Sequence, residues 1–234
     1  MSELILVRHG QASFGADTYD KLSPVGIRQV ELLTEHWLGL NERYDAVYSG
    51  DLWRQQETAQ LMRPVVVNPT INILAGLNEY NGEPLLRIYL RDHACAEGYS
   101  LDPQQPIRDR KTFQLVLEAA CRHWIAGNLK ASAEDEGFEP WRSFQMRVHA
   151  SLDDIMARHT GGSRVLIATS GGVIAMALQR ALQLPDNHTI EVNWMVNNSS
   201  VTRLVYGRGK VSLGSFNSLS HLQTPQLREL ITFR

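Results

Sequence analysis

Leu4-Ile5-Leu6-Val7-Arg8-His9-Gly10 is the stretch on which the fold is read. Its apolar run is short and unbroken, which suits a strand buried on both faces, as in a parallel sheet covered by helices. The run stops at Arg8-His9-Gly10, so these residues lie at the strand's carboxyl end. In open α/β sheets ligands bind at that edge. Outward from this strand the pattern repeats. Asp45-Ala46-Val47-Tyr48 reads as a second strand ending at Ser49-Gly50, and Val65-Val66-Val67 as a third, closed by Asn68-Pro69. Val165-Leu166-Ile167-Ala168 reads as another buried strand, stopping at Thr169-Ser170-Gly171-Gly172. Residues 199–206 and 210–216 read as a hairpin around Gly207-Arg208-Gly209.

Helices fill the intervals. Ser23 is placed to cap one and Pro24 fits its first turn. Ile27, Val30, Leu33, Trp37 and Leu40 then recur at helical spacing. Further helices are read from about Leu52 to Met62, from Trp141 to about His159, and from Val173 to Leu184. This alternation argues for an α/β fold with a largely parallel sheet. The stretch from Asn81 to about Pro140 is richer in charge and turn formers. It reads as a cap or insertion in one domain spanning 1–234, with one helix near Thr112 to Leu129. Ala133-Glu134-Asp135-Glu136-Gly137 reads as a solvated turn. Substrate specificity is expected in this segment.

The chain has 234 residues, enough for one substantial domain, and a net charge of −2. Nothing global recruits nucleic acid or an acidic membrane surface, so any anion site must be a local cluster of cations. The two cysteines, Cys95 and Cys121, form no disulfide framework. No basic leader precedes the first apolar run, and no run approaches the ~18 apolar residues of a spanning helix. A cytoplasmic location is the expectation. Oligomeric state is not legible.

Three groups carry chemistry. His9 ends a buried strand beside Arg8, with Gly10 permitting close backbone approach. Phosphoryl transfer requires an in-line nucleophile and cations on the equatorial oxygens. A neutral imidazole nitrogen can attack phosphorus, and an Arg can fork onto two oxygens. Arg54 falls in the first turn of the helix after the second strand, near the same edge. Glu79, in Leu77-Asn78-Glu79, could protonate a departing alkoxide and later activate water. Singly, each has a plain alternative: a structural histidine, a surface arginine, a solvated loop carboxylate.

Their order resembles the histidine phosphatase superfamily, in the branch that includes cofactor-dependent phosphoglycerate mutases. The matching residues are Leu6-Val7-Arg8-His9-Gly10-Gln11, Leu22 to Gln29, Tyr48 to Arg54 with Glu57-Thr58-Ala59, and Leu77-Asn78-Glu79. Ser170-Gly171-Gly172, Asn198 to Thr202, Phe216-Asn217 and His221-Leu222 continue the match. It spans nearly the whole chain apart from Leu85 to Pro140. The resemblance implies a three-layer α/β/α sandwich with His9 as the phosphorylated residue. It makes Arg8 and Arg54 the phosphate clamp and Glu79 the proton donor, with no metal or organic cofactor. The partner would be a small phosphomonoester.

Two departures matter. The family usually carries a second histidine where this chain has Ser170. A hydroxyl still donates one hydrogen bond but brings no charge. Loss of one such donor costs roughly 10²–10³-fold in rate if nothing compensates. The free N–H groups of a helix beginning at Gly171 or Gly172 are one compensation. The second departure is Gly15, where the family's mutases and many of its phosphatases have Asn, together with the loss of a polar residue at Ala12. Gln11 and Ser13 remain nearby as phosphate donors. The departures leave two alternatives: a phosphoglycerate mutase, and a non-catalytic phosphate-binding or protein-interaction module on the same fold.

Overall fold

The computed structural model describes residues 1–13, 20–101, 107 and 109–233. Gly15 lies outside the described residues. In chain order the elements are β1 (Ser2–Arg8), α1 (Pro24–Gly39), β2 (Ala46–Ser49), α2 (Trp53–Met62) and β3 (Ile71–Ile73). Then follow α3 (Gly82–Asp92), α4 (Arg110–Ile125), α5 (Trp141–Arg158), β4 (Arg164–Thr169) and α6 (Gly171–Leu182). α7 (Asp186–Met195), β5 (Val201–Gly207) and β6 (Lys210–Ser218) complete the chain. Two compact units result: residues 1–79 with 147–234, and residues 80–146.

The first unit is built on a six-stranded sheet of order β3-β2-β4-β1-β5-β6. β3, β2, β4 and β1 run parallel, and β5 and β6 add an antiparallel hairpin at one side. Alternation along the strands splits their side chains between two faces. Ile5, Val7, Val47, Leu166 and Ala168 share one core with Val30, Leu33 and Trp37 of α1 and Ala59 and Met62 of α2. Leu4, Leu6, Tyr48, Val165 and Ile167, the alternate residues, are equally buried. On that face α6 lies against β1, and its residues 171–179 are buried all round. An apolar helix with no exposed stripe is what an inner helix requires. The result is an α/β sandwich with a mostly parallel sheet, as the alternation of runs implies.

Local signals set the helix starts. The Ser23 hydroxyl accepts the Gly26 N–H at 3.0 Å, and Pro24 is the first residue of α1. Ser170 is the extended residue that precedes α6.

Three expectations are corrected. Val65-Val66-Val67 is not the third strand: Arg63–Val65 is a 3₁₀ turn, Val66 makes a single parallel bridge to Tyr44, and β3 lies at Ile71–Ile73. Val65 is drawn into the α1/α2 core, and the register of β2 pairs Val47 with Ile71 and Ser49 with Ile73. Residues 81–140 also hold a second helix, α3, whose start reads as a turn because Asn81 is its cap, accepting the Glu83 N–H at 3.1 Å. Asp135 is no solvated loop acid: its side chain is 1% exposed and paired with Arg87 at 3.1 Å and Arg91 at 2.9 Å.

The second unit carries its own core. Trp124, Trp141, Phe144 and Tyr80 cluster with ring centroids 4.9–6.3 Å apart. Among the described residues no helix is long and apolar enough to cross a membrane.

Candidate active site

β1 ends at Arg8, and the chain leaves the sheet at His9 with its backbone still anchored. The His9 N–H donates to the Thr169 carbonyl at 2.8 Å, extending the parallel pairing in which Arg8 faces Thr169. The imidazole is 6% exposed. Its Nδ1 stands 2.7 Å from the Gly10 carbonyl, and its Nε2 is 3.2 Å from Nε of Arg54. A carbonyl only accepts and a guanidinium N–H only donates, so the tautomer is fixed. Nδ1 bears the hydrogen, and the Nε2 lone pair faces Arg54. Burial holds the ring well below its usual pKa, with the charges of Arg54 and Arg8 acting in the same direction against the Gly10 hydrogen bond. The imidazole is therefore a neutral base with its lone pair directed at a cation, which is the form that attacks an electrophile.

Arg54, the second residue of α2, has a side chain only 13% exposed. Its guanidinium also pairs with Asp20, whose other oxygen accepts the Trp53 N–H at 2.7 Å at the start of α2. One carboxylate thus holds both the helix terminus and the cation. The Arg8 guanidinium donates to the Val196 carbonyl. The structure brings His9 and Arg54 into contact and sets the charge of Arg8 close enough to bias the ring.

Glu79 lies just after a 3₁₀ turn, Ala75–Leu77. Arg147 donates to the Gly76 and Asn78 carbonyls at 3.1 Å each. The Leu77 carbonyl accepts from the Thr169 hydroxyl at 2.7 Å. Thr169 therefore ties two groups to one strand end, His9 through its carbonyl and the Glu79 loop through its side chain. One oxygen of the Glu79 carboxyl group accepts the Gly172 N–H at 3.1 Å in the first turn of α6.

Ser170 is fully buried, and its hydroxyl accepts from Gln55 Nε2 at 2.7 Å. Gly171 packs flush on α7: a Cβ there would stand 2.4 Å from Oδ1 of Asn193. Gly10 is pressed as tightly on α1, with its would-be Cβ 2.3 Å from the Gly26 carbonyl oxygen. Gln11 and Ser13 shape the approach to α1. Gln11 accepts from the Ser23 hydroxyl at 2.9 Å, and Ser13 donates to the Leu22 carbonyl at 3.2 Å. Among the described residues no hydrogen bond joins either side chain to His9.

Support comes from behind. The Asn198 side chain donates to the His9 carbonyl at 3.2 Å, and the Ser199 N–H to that of Arg8 at 3.0 Å. The Ser199 hydroxyl meets His221 Nε2 at 2.9 Å. The C-terminal residues Asn198-Ser199-Ser200 and His221 thus brace the backbone of Arg8 and His9. Reading the sequence missed Asp20 and Gln55. Asp20 sits in a loop with no periodic signal. Gln55 had one, because Gln55, Thr58, Ala59 and Met62 form the buried stripe of α2 and a glutamine on such a stripe needs a buried partner.

Comparison with known proteins places the chain in a family and a fold. The sequence profile described as histidine phosphatase superfamily (branch 1) matches residues 4–96 and 107–219. A metal-independent phosphoserine phosphatase from Arabidopsis thaliana is 26% identical over 96% of this chain and 84% of its own length. A phosphoserine phosphatase from Entamoeba histolytica, solved with phosphoserine, shares the fold with a TM-score of 0.64 at 19% identity, over 95% of this chain and 100% of that one. A phosphoglycerate mutase from Bacillus anthracis does so at 0.64 and 20%, over 94% of each chain.

Proposed function

The chain belongs to the histidine phosphatase superfamily, branch 1, and from that premise we propose that it is a phosphatase hydrolysing small phosphomonoesters through a phosphohistidine at His9. The observation that carries this is the buried, neutral His9 ring, its Nδ1–H on the Gly10 carbonyl and its Nε2 lone pair facing Arg54 at 3.2 Å.

The substrate's phosphoryl oxygens replace the lone pair as acceptors of the Arg54 N–H groups, with Arg8 as the second cation. Nε2 then attacks phosphorus in line. As the N–P bond forms, the ester P–O bond breaks, and Glu79 passes its proton to the departing oxygen. The Glu79 carboxylate next takes a proton from water, whose oxygen attacks the phosphohistidine. The P–N bond breaks, phosphate leaves, and Nε2 recovers its lone pair. Ser170 and the first turn of α6 serve the equatorial oxygens. Gly10, Gln11 and Gly171 shape the walls of the site.

Phosphoserine is the first substrate to assay, by likeness to the Arabidopsis relative. The segment change at Ala12 and Gly15 favours hydrolysis over isomerisation of a phosphoglycerate. Rapid quench with labelled phosphoserine or 4-nitrophenyl phosphate is expected to trap acid-labile, base-stable label on His9. Turnover is expected to survive EDTA and to vanish in His9→Ala. Saturable phosphate binding with neither label nor product would instead establish a non-catalytic module. Phosphoglycerate isomerisation faster than hydrolysis would establish a mutase.

A further inference from the structure

We propose that Gln55 is a positioning residue for phosphoryl transfer, turning the one hydroxyl proton of Ser170 toward the phosphoryl group. The inference rests on the functional reading above. It begins with an amide whose orientation is fixed. Gln55 is fully buried on the inner stripe of α2. Its Nε2 donates to Ser170 Oγ at 2.7 Å and to the Leu77 carbonyl at 3.2 Å, so both amide hydrogens are used. Reversing the amide would set Oε1 against the Leu77 carbonyl, two acceptors together.

That orientation has a cost: Oε1 is left buried with no hydrogen-bond partner. It lies over Gly50, where a Cβ would stand 1.9 Å away, so the bare glycine makes its room. A buried orphan acceptor persists where the donors opposite it are needed.

The consequence falls on Ser170. A serine hydroxyl has one hydrogen and two lone pairs. Nε2 of Gln55 has no lone pair to accept that hydrogen, so the Ser170 O–H must point elsewhere. Among the described residues none accepts it, although the side chain is inaccessible to solvent. Ser170 follows Thr169, the residue whose carbonyl binds the His9 N–H at 2.8 Å, so Ser170 and His9 leave the sheet at neighbouring parallel strand ends. A hydroxyl already accepting one hydrogen bond is a stronger donor through the other side. Gln55 and Ser170 together thus supply one aimed, preorganised donor.

The test is a double-mutant cycle on turnover of 4-nitrophenyl phosphate with Gln55→Met, Ser170→Ala and the pair. Ser170→Ala is expected to lower kcat about a hundredfold, and Gln55→Met about tenfold, with smaller changes in KM. In the Ser170→Ala background, Gln55→Met is expected to cost nothing further. The same tenfold loss in both backgrounds would overturn the proposal, since a residue that merely fills space acts regardless of Ser170. Gln55→Glu keeps the shape should the Met variant fold poorly. Its protonated carboxyl donates to Ser170 as the amide does, whereas its carboxylate only accepts and draws the serine proton inward. Its activity relative to wild type is therefore expected to fall as pH rises, and a ratio independent of pH would count against Gln55. Wild type is assayed for phosphohistidine alongside: no label overturns the functional reading and this inference with it, whereas label with multiplying losses overturns the inference alone.

Discussion

The state of the His9 ring is set by two neighbours and by burial. The Gly10 carbonyl takes the Nδ1 hydrogen, Arg54 faces the Nε2 lone pair, and burial withholds the water that would solvate an imidazolium. These act together, so His9 is expected to remain neutral, with hydrogen on Nδ1, on acidification through the usual histidine range near pH 6.5. Ring ¹⁵N shifts followed by NMR against pH measure both properties. A ring that titrates at its ordinary pKa, or that carries its hydrogen on Nε2, would contradict the geometry. Asp20 belongs to the same scale. Its carboxylate steadies Arg54 and caps the chain entering α2, so one side chain couples the guanidinium to the helix that bears it.

Two close approaches between elements decide how the site is assembled. The first residues after β1 touch the start of α1 so closely that neither Gly10 nor Gly26 tolerates a side chain. A Cβ on Gly10 meets the Gly26 carbonyl oxygen at 2.3 Å, and one on Gly26 meets the Gln11 carbonyl oxygen at 2.1 Å. Both obstacles are backbone, so no rotamer change relieves them. Gly10→Ala is therefore expected to destabilise the first unit by about 1–3 kcal/mol, the usual cost of overpacking, and to depress activity by shifting His9. Urea denaturation followed by circular dichroism checks the first, and an unchanged midpoint would refute it. The second approach is α6 to α7 at Gly171, which brings the first turn of α6, and so the Gly172 N–H that holds Glu79, to the strand edge.

At the scale of the whole molecule, the braces behind the site link its stability to pH. His221 is 5% exposed, and burial, with the charge of His36 acting in the same direction, lowers its pKa from 6.5 to about 4. Between these values the unfolded chain binds a proton that the folded chain refuses. The stabilisation is whole above pH 6.5 and is lost as pH falls toward 4, by about 3 kcal/mol if the full difference is expressed. His9 acts in the same sense. Below this range Asp135 adds a further loss. Its carboxyl is held well below the usual carboxylate range, first by the Ser132 N–H, then by Arg91, the Ser132 hydroxyl and Arg87. Unfolding free energies measured between pH 7 and 4.5 are expected to decline, and His221→Gln to flatten part of that decline. An identical slope in the variant would show that His221 is not the group responsible.

Much of this was legible in the residue order. The unbroken run Leu4–Val7 and its echo at Val165–Ala168 determined parallel strands buried on both faces, because only a sheet covered by helices leaves no polar side to alternate. Those runs also placed His9, Ser170 and the helix bearing Arg54 at one edge, since each sits where an apolar run stops. What the tertiary structure alone decided was the pairing of side chains remote in sequence. Gln55 meets Ser170 across 115 positions, and Asn198 holds His9 across 189. The true third strand was likewise chosen by the register of β2 and not by its own valines. Periodicity reports which face of an element is buried; it carries no information about which partner a buried polar group will find there, because that is settled by packing at distances the local pattern does not reach.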